Sequence, residues 1–261
     1  MSIQSSISSL PPSLPPSLSP SRCRSFWLRL GLALSVVALA AVVPRRAAAE
    51  PDALMTALFH NDGEGFTPPA QNAALQALLA RHPSLTFLEA CGVGDAAEIK
   101  RQLARDPKLA LTWSGFGWSA LHLAAFSGNP AALQLVIDHV RDRGLDINVR
   151  ARSKFKNSPL QAALLAGQLA TAKLLLERGA DPLIRQAHGF AVLHEVALLG
   201  RRDLVDLLLG AGAEINARAD DGRTPVSEAL RGKHAELADY LRSRGGRDAA
   251  TTADFQAPPV D

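Results

Sequence analysis

Five segments of the chain share one pattern of apolar and polar positions and stand at nearly equal distances from one another. They cover residues 87–94, 121–128, 160–167, 193–200 and 226–233, with first residues 34, 39, 33 and 33 positions apart. A second apolar stretch follows each segment, as at residues 172–176 and 205–209. A period of roughly 20 to 50 residues is typical of stacked repeats. The pattern therefore predicts five units of two short helices each.

The residues at the predicted helix ends support this division. Ser158 and Thr224 stand where a hydroxyl can cap a first helix, and Pro159 and Pro225 follow at a position where a missing N–H costs nothing. Each first helix must then stop so that the chain can reverse, which favours glycine in the left-handed conformation. The residues at these stops are Gly128, Gly167 and Gly200.

Most units close on Gly-Ala-Asp or Gly-Ala-Glu, as at residues 179–181 and 212–214. With its Leu-His pairs at residues 121–122 and 193–194, the chain resembles the ankyrin repeat family, whose pattern runs Gly-x-Thr-Pro-Leu-His-x-Ala-Ala, Gly, Leu-Leu and Gly-Ala-Asp. The resemblance covers about residues 85–247 in five copies. It implies an all-α solenoid of helix-turn-helix repeats with β-turn tips, in which stacking buries one continuous elongated core.

Three departures from the repeat pattern carry expectations of their own. The spacing of 39 residues is expected to lengthen the outer helix end and the turn at residues 140–144. In the fourth copy, Ala191 removes the cap hydroxyl, which is expected to weaken that helix start by about 1 kcal/mol. In the fifth, Lys233 takes the glycine position.

The N-terminal region reads as an export signal. Residues 1–21 are rich in Ser, Pro and Leu and are expected to be disordered; basic residues then precede an uncharged apolar run at 30–43, and Ala49 ends a small-residue stretch. As a helix the run would span about 21 Å, which is shorter than a hydrocarbon core of about 30 Å. We expect cleavage near Ala49 and a periplasmic or secreted product. A retained inner-membrane anchor and a misassigned start codon are the alternatives.

The expected organisation has four parts. Residues 1–49 form the signal with its long n-region, residues 50–84 a helical N-terminal cap, residues 85–247 the repeat domain and residues 248–261 a disordered tail. The high Ala, Arg and Gly usage suggests a bacterial source.

Composition and charge reduce the number of fold and function classes to be considered. Aromatic residues make up 5% of the chain and hydrophobic residues 47%, which favours helices over a β-sandwich. Five of the 28 Lys and Arg residues precede Glu50, the first acidic residue, so 23 basic and 25 acidic residues remain in the body. A body with this balance gives no reason to expect nucleic-acid binding. The two cysteines, Cys23 and Cys91, cannot form a disulfide framework.

No residue pattern points to catalysis. His122 and His194 occupy the histidine position of the repeat, where the resemblance implies hydrogen bonds to neighbouring backbone. His194-Glu195 lacks the second histidine of a zinc protease motif, and Cys91 is expected to be a buried, inert thiol. We expect no enzyme activity, no metal and no cofactor.

A binding surface remains, and the resemblance places it on the turn tips and the exposed side of each first helix. Aromatic residues at three of four tips favour partner contact, since aromatic side chains are enriched at interface hot spots. The alternative is that Trp118 and Phe190 fold down and brace the tips. Basic residues around the longer loop, Arg150, Arg152, Lys154 and Lys156, could attract an acidic partner. The residues expected to contact a partner are Trp113, Phe116, Trp118, Lys154, Phe155, Asn157, His188, Phe190, Asp221 and Arg223.

The sequence therefore predicts a monomeric, exported, non-enzymatic module that binds another protein of unknown identity. It would meet the membrane only through its N-terminal segment. Two alternatives stay open: a scaffold anchored by residues 30–43, and an accessory protein that supports an exported enzyme.

Overall fold

A computed structural model describes Ala57, residues 72–80 and residues 84–249. Regular structure in these ranges is helical, apart from isolated β-bridges. The helices are α1 (Ala73–Leu79), α2 (Phe87–Val93), α3 (Ala96–Arg105), α4 (Ala120–Ser127), α5 (Pro130–Arg141), α6 (Pro159–Leu165), α7 (Leu169–Glu177), α8 (Val192–Leu198), α9 (Arg202–Gly210), α10 (Pro225–Arg231) and α11 (Ala235–Ser243). Short 3-10 turns lie at Pro107–Leu111 and Ala187–Gly189.

The helices form two rows, as the ankyrin resemblance implies. The inner row is α2, α4, α6, α8 and α10, and each of these helices packs against its neighbours in the row. Each inner helix also packs against the outer helix that follows it in the chain. Residues 87–243 thus form a stack of five helix pairs, and their fold is the predicted solenoid.

The core runs along the stack between the two rows. Small residues such as Ala124 and Ala163 are fully buried on the inner helices, which lets neighbouring helices approach closely. Larger side chains such as Leu175 and Leu208, also fully buried, fill the space toward the outer row. Because these residues belong to one hydrophobic cluster, no repeat buries its apolar face alone.

The predicted helix ends are confirmed. The Ser158 hydroxyl accepts a hydrogen bond from the Gln161 N–H at 3.3 Å, and the Gln161 Oε1 accepts one from the Ser158 N–H at 2.7 Å. Gly128 has a φ of 78°, and Lys233 holds the same left-handed conformation in the fifth repeat with a φ of 67°. Ala191 caps α8 without a side-chain hydrogen bond.

The wider spacing is accommodated as expected. Helix α5 has 12 residues, whereas α7, α9 and α11 have 9 each. The extra length is followed by Gly144 with a φ of 69°. The insertion therefore lengthens the outer helix and its turn without changing the inner row.

The predicted signal at residues 1–49 lies outside the described residues, as does most of the predicted tail at 248–261. Within the predicted N-terminal cap, α1 is described, and its Leu75 is fully buried in the same hydrophobic cluster as the repeats. Among the described helices, none has the length and hydropathy that crossing a bilayer requires.

Candidate functional site

Four short loops project between successive repeats, each just before an inner helix. We call them the first tip (residues 113–118), second tip (152–157), third tip (185–190) and fourth tip (218–223). Three are closed by similar backbone hydrogen bonds: the Ser114 N–H donates to the Trp118 carbonyl at 2.7 Å, and equivalent bonds link residues 186 to 190 and 219 to 223. Each tip is therefore an ordered hairpin-like turn.

A residue with positive φ makes each reversal possible. Gly117 and Gly222 both have a φ of 80°. In the second tip, Lys156 takes this position with a φ of 53°, a conformation that is uncommon for residues other than glycine. Alanine at Gly117 would also bring a Cβ within 3.0 Å of the Arg152 backbone. The first two tips are therefore closely packed against each other.

Backbone hydrogen bonds join the tips into one row. The Arg152 N–H donates to the Gly117 carbonyl at 2.8 Å, and the Ala187 N–H donates to the Phe155 carbonyl at 3.3 Å. The third and fourth tips are joined by the Asp220 N–H and the His188 carbonyl at 3.0 Å. These hydrogen bonds fix the backbone of each tip relative to its neighbours, so the tip side chains project from one ordered row.

Two histidines tie inner helices to the tips. The His122 Nδ1 accepts from the Ser119 N–H at 3.3 Å, so its Nε2–H donates to the Asn157 carbonyl at 2.9 Å. His194 repeats the arrangement with the Arg223 carbonyl at 3.0 Å. Burial lowers the pKa of His122 to about 4, which keeps its ring neutral near pH 7. The predicted structural role of both histidines is confirmed.

The structure corrects the expectation that Trp118 faces solvent. Its ring is 4% exposed and stands edge-on to Phe126, with ring centroids 5.6 Å apart. It also packs near His122, at 5.9 Å. Trp118 therefore braces the first tip from below, as the alternative interpretation expects. Asn157 is buried as well, at 7% exposure, because it lies at the equivalent position of the second tip.

The other predicted contact residues lie at least partly on the surface. Lys154, His188 and Asp221 are exposed. The half-buried members of the predicted set are Trp113, Phe116, Phe155, Phe190 and Arg223. Of these, Phe116 packs against the hydrophobic core. Partner contact through these eight residues remains a prediction.

Cations cover the aromatic rings of the tips. The Arg152 guanidinium lies 4.0 Å from the Trp113 ring centroid, and the Lys154 ammonium lies 5.0 Å from that of Phe155. On the third tip, Phe190 has Arg223 4.6 Å above its ring and His194 at 5.0 Å. Such contacts hold a long basic side chain in place while leaving its charge available. The exposed face of the first three tips is thus a mixture of aromatic and basic groups.

The sequence does not predict a partly buried polar pair at the third tip, formed by Gln186 of the tip and Glu195 of α8. Glu195 on α8 is 3% exposed, and its Oε1 accepts from the Gln186 side-chain amide at 2.8 Å. Its Oε2 has no hydrogen-bond partner in the part of the chain that the structure describes. Burial raises the pKa of this carboxyl to about 7, with the Gln186 bond opposing the shift. Nothing in the local sequence signals the pairing, because it depends on the third tip folding over α8.

Metal-ligating side chains and the Cys91 thiol are the groups of the described residues that the sequence predictions concern. Across residues 72–80 and 84–249 no three metal-ligating side chains come together. Cys91 is fully buried, and burial raises the pKa of its thiol, so it is the unreactive group that the sequence predicts.

The chain matches two family models, and both describe the same kind of repeat. A family model described as ankyrin repeats in three copies matches residues 87–186. Another, described as ankyrin repeats in many copies, matches residues 193–242. Together the matches span more than half of the chain and coincide with the described helix pairs.

Relatives with similar sequences differ widely in their other parts. The chain is 30% identical over 154 residues to a transient receptor potential cation channel subfamily A member 1 homolog of Caenorhabditis elegans, covering 59% of this chain and 12% of that protein. It is 27% identical over 179 residues to the putative E3 ubiquitin-protein ligase XBAT31 of Arabidopsis thaliana, covering 63% and 38%. It is 28% identical over 154 residues to the target of rapamycin complex 2 subunit AVO2 of Saccharomyces cerevisiae, covering 58% and 35%. The chain spans less than two fifths of each of these relatives, which share the repeat region with it.

Proposed function

Because this chain belongs to the ankyrin repeat family, we propose that it is an exported, non-enzymatic scaffold that binds another protein through its row of tips. Ankyrin repeats indicate a protein-protein interaction module. The observation that carries the proposal is the hydrogen-bonded row of tips, which presents aromatic and basic side chains from a fixed backbone. A preorganised surface loses little conformational entropy when a partner binds.

Export is the second part of the proposal, and it is supported by the basic residues, apolar run and small-residue stretch at residues 22–49. The proposed compartment is the periplasm or its equivalent outside the cell. A scaffold retained in the inner membrane by residues 30–43 is the alternative. The mass of the N-terminus in protein isolated from its source separates the two, since an intact Met1 contradicts processing.

The binding proposal predicts that partner capture depends on exposed tip residues. Phe155→Ala combined with His188→Asn alters two neighbouring tips, and asparagine tolerates the left-handed conformation at position 188, where φ is 64°. Proteins cross-linked to the wild-type chain in its native compartment should fall about ten-fold in yield with this variant, because interface hot spots are few and aromatic. Quantitative mass spectrometry of the captured proteins measures the change.

A matched control alters the opposite side of the stack. Leu169 and Lys173 are exposed on the outer helix α7, so Leu169→Ala with Lys173→Ala removes similar groups away from the tips. This control should capture the same proteins as the wild type. If the tip variant also captures them in full, the tips are not the binding surface and the proposal fails.

A further inference from the structure

One stretch of the tip row carries a concentration of positive charge. Arg152, Lys154 and Lys156 alternate along the second tip, Arg150 lies two positions before it, and all four are exposed. We call these four residues the basic strip. The body of the chain has slightly more acidic than basic residues, so this local excess is not a reflection of overall composition.

The charges of the basic strip are not neutralised by neighbours. Within residues 72–80 and 84–249, none of the four cations has a carboxylate oxygen within 4.0 Å. Arg150 donates instead to the carbonyls of Arg185 at 2.8 Å and Lys156 at 3.5 Å. Arg152 and Lys154 contact aromatic rings. Carbonyls and rings orient these cations but leave their positive charge in place.

Arg185 and Arg223, on the third and fourth tips, are paired with carboxylates. Arg185 of the third tip lies 2.7 Å from the Glu214 carboxylate. Arg223 of the fourth tip contacts Asp221 at 2.5 Å and the buried Glu228 at 2.9 Å. On the fourth tip, Asp220 and Asp221 balance Arg218 and Arg223 in formal charge, and Arg218 has no ion pair within the described residues. Unpaired positive charge is therefore concentrated at the second tip, with Arg218 as a single further unpaired cation on the fourth.

The support beneath the basic strip is fixed on both sides. The Arg152 N–H is bonded to the first tip at 2.8 Å, and the Phe155 carbonyl accepts from the third tip at 3.3 Å. An incoming anion therefore meets cations whose backbone is already ordered, so binding costs little backbone entropy. Phe155, half-buried between Lys154 and Lys156, adds apolar surface for a neighbouring side chain.

We propose that the second tip binds an acidic, extended segment of the partner protein, with carboxylates of that segment facing the basic strip. This inference rests on the proposed function and adds the chemistry of the partner. A nucleic acid fits less well, since its regularly spaced phosphates would extend beyond the basic strip onto a body of net negative charge. A short protein segment can place its charges opposite the second tip alone.

The test measures binding of a fluorescein-labelled decaglutamate peptide by fluorescence anisotropy at low ionic strength. Lys154→Gln with Lys156→Gln should weaken binding about ten-fold and reduce its salt dependence, because two of four opposing charges are removed. Lys154→Arg with Lys156→Arg should bind like the wild type. Neither lysine side chain makes a hydrogen bond within the described residues, so the neutral variant should keep its helical circular dichroism.

The control removes equal charge elsewhere. Lys100→Gln with Lys173→Gln alters exposed lysines of the outer helices α3 and α7 and should change the affinity less than about two-fold. The inference is overturned if the wild type does not bind the peptide. It is also overturned if the Lys154→Gln, Lys156→Gln variant and the Lys100→Gln, Lys173→Gln control bind the peptide with equal affinity. It is also overturned if a single-stranded oligonucleotide of equal charge binds more tightly than the peptide. Dependence of partner capture on Phe155 and His188 would in each of these cases leave the proposed function standing.

Discussion

Replacing Trp118 by alanine is expected to remove about 3 to 5 kcal/mol of the free energy of unfolding. The ring is 4% exposed and fills the space between the first tip and α4, where it contacts Phe126 and His122. Truncation leaves a cavity that the surrounding helices cannot close, because Phe126 and the neighbouring inner helix are themselves fully packed. A typical domain is stable by about 5 to 15 kcal/mol, so the loss is a large part of the total. Urea unfolding followed by circular dichroism measures it.

Phe155→Ala is the matched control for this prediction. Phe155 also lies on a tip but is half-buried, with Lys154 over its ring. Its truncation should cost less than about 1 kcal/mol, as is usual for partly exposed positions. A loss for Trp118→Ala as small as that for Phe155→Ala would show that Trp118 does not brace the tip. Equal losses of any size would contradict the assignment of the two residues to different roles.

Trp118 and Phe155 illustrate which features of the structure can be predicted from the sequence and which cannot. Repeat register, helix caps and glycine turns are local features, so the pattern at Ser158 or Gly128 was enough to predict them. The longer α5 followed in the same way from the spacing of the repeats. Trp118 and Phe155 both stand in tip sequences, but whether a side chain points into the core depends on the neighbouring helices. That information is absent from the local pattern.

Dependence on tertiary contacts also explains which features of the candidate site the sequence does not predict. The sequence predicts a basic cluster at residues 150–156. That no described carboxylate pairs with it depends on tertiary structure, in which Glu214 pairs with Arg185 and Asp221 with Arg223. In the sequence, Glu195 is notable only because it follows His194 in an incomplete zinc protease motif. Its burial against Gln186 arises because the third tip folds over α8, which is a tertiary contact.

Glutamine in place of Glu195 is expected to remove the contribution by which Glu195 lowers the stability of the folded chain as the pH rises from about 5 to 8. In the folded chain, burial raises the pKa of the Glu195 carboxyl from 4.5 to about 7. Between these values the Glu195 carboxyl binds more protons in the folded than in the unfolded state, so its contribution to the free energy of unfolding falls as the pH rises. Once the pH exceeds the folded pKa the loss is complete, at about 3 kcal/mol.

His122, beside the first tip, has the opposite effect on how stability depends on pH, which allows the two contributions to be distinguished. Burial lowers the pKa of His122 from 6.5 to about 4, so its contribution to stability is lost as the pH falls through this range. That acid-side loss should persist in the Glu195→Gln variant. At pH values near 5 the variant and the wild type should therefore be similarly stable, and both should weaken on further acidification.

Urea unfolding at several pH values between about 5 and 8 measures the difference directly. The Glu195→Gln variant should be more stable than the wild type by up to about 3 kcal/mol near pH 8, since the amide keeps an oxygen for the Gln186 donor and carries no buried charge. Glu236→Gln, at an exposed position on α11, should show no such pH-dependent gain. A difference between Glu195→Gln and wild type that stays constant with pH would mean that Glu195 titrates alike in the folded and unfolded chains. Its carboxyl would then be solvated, and the third tip would not fold over α8 as described.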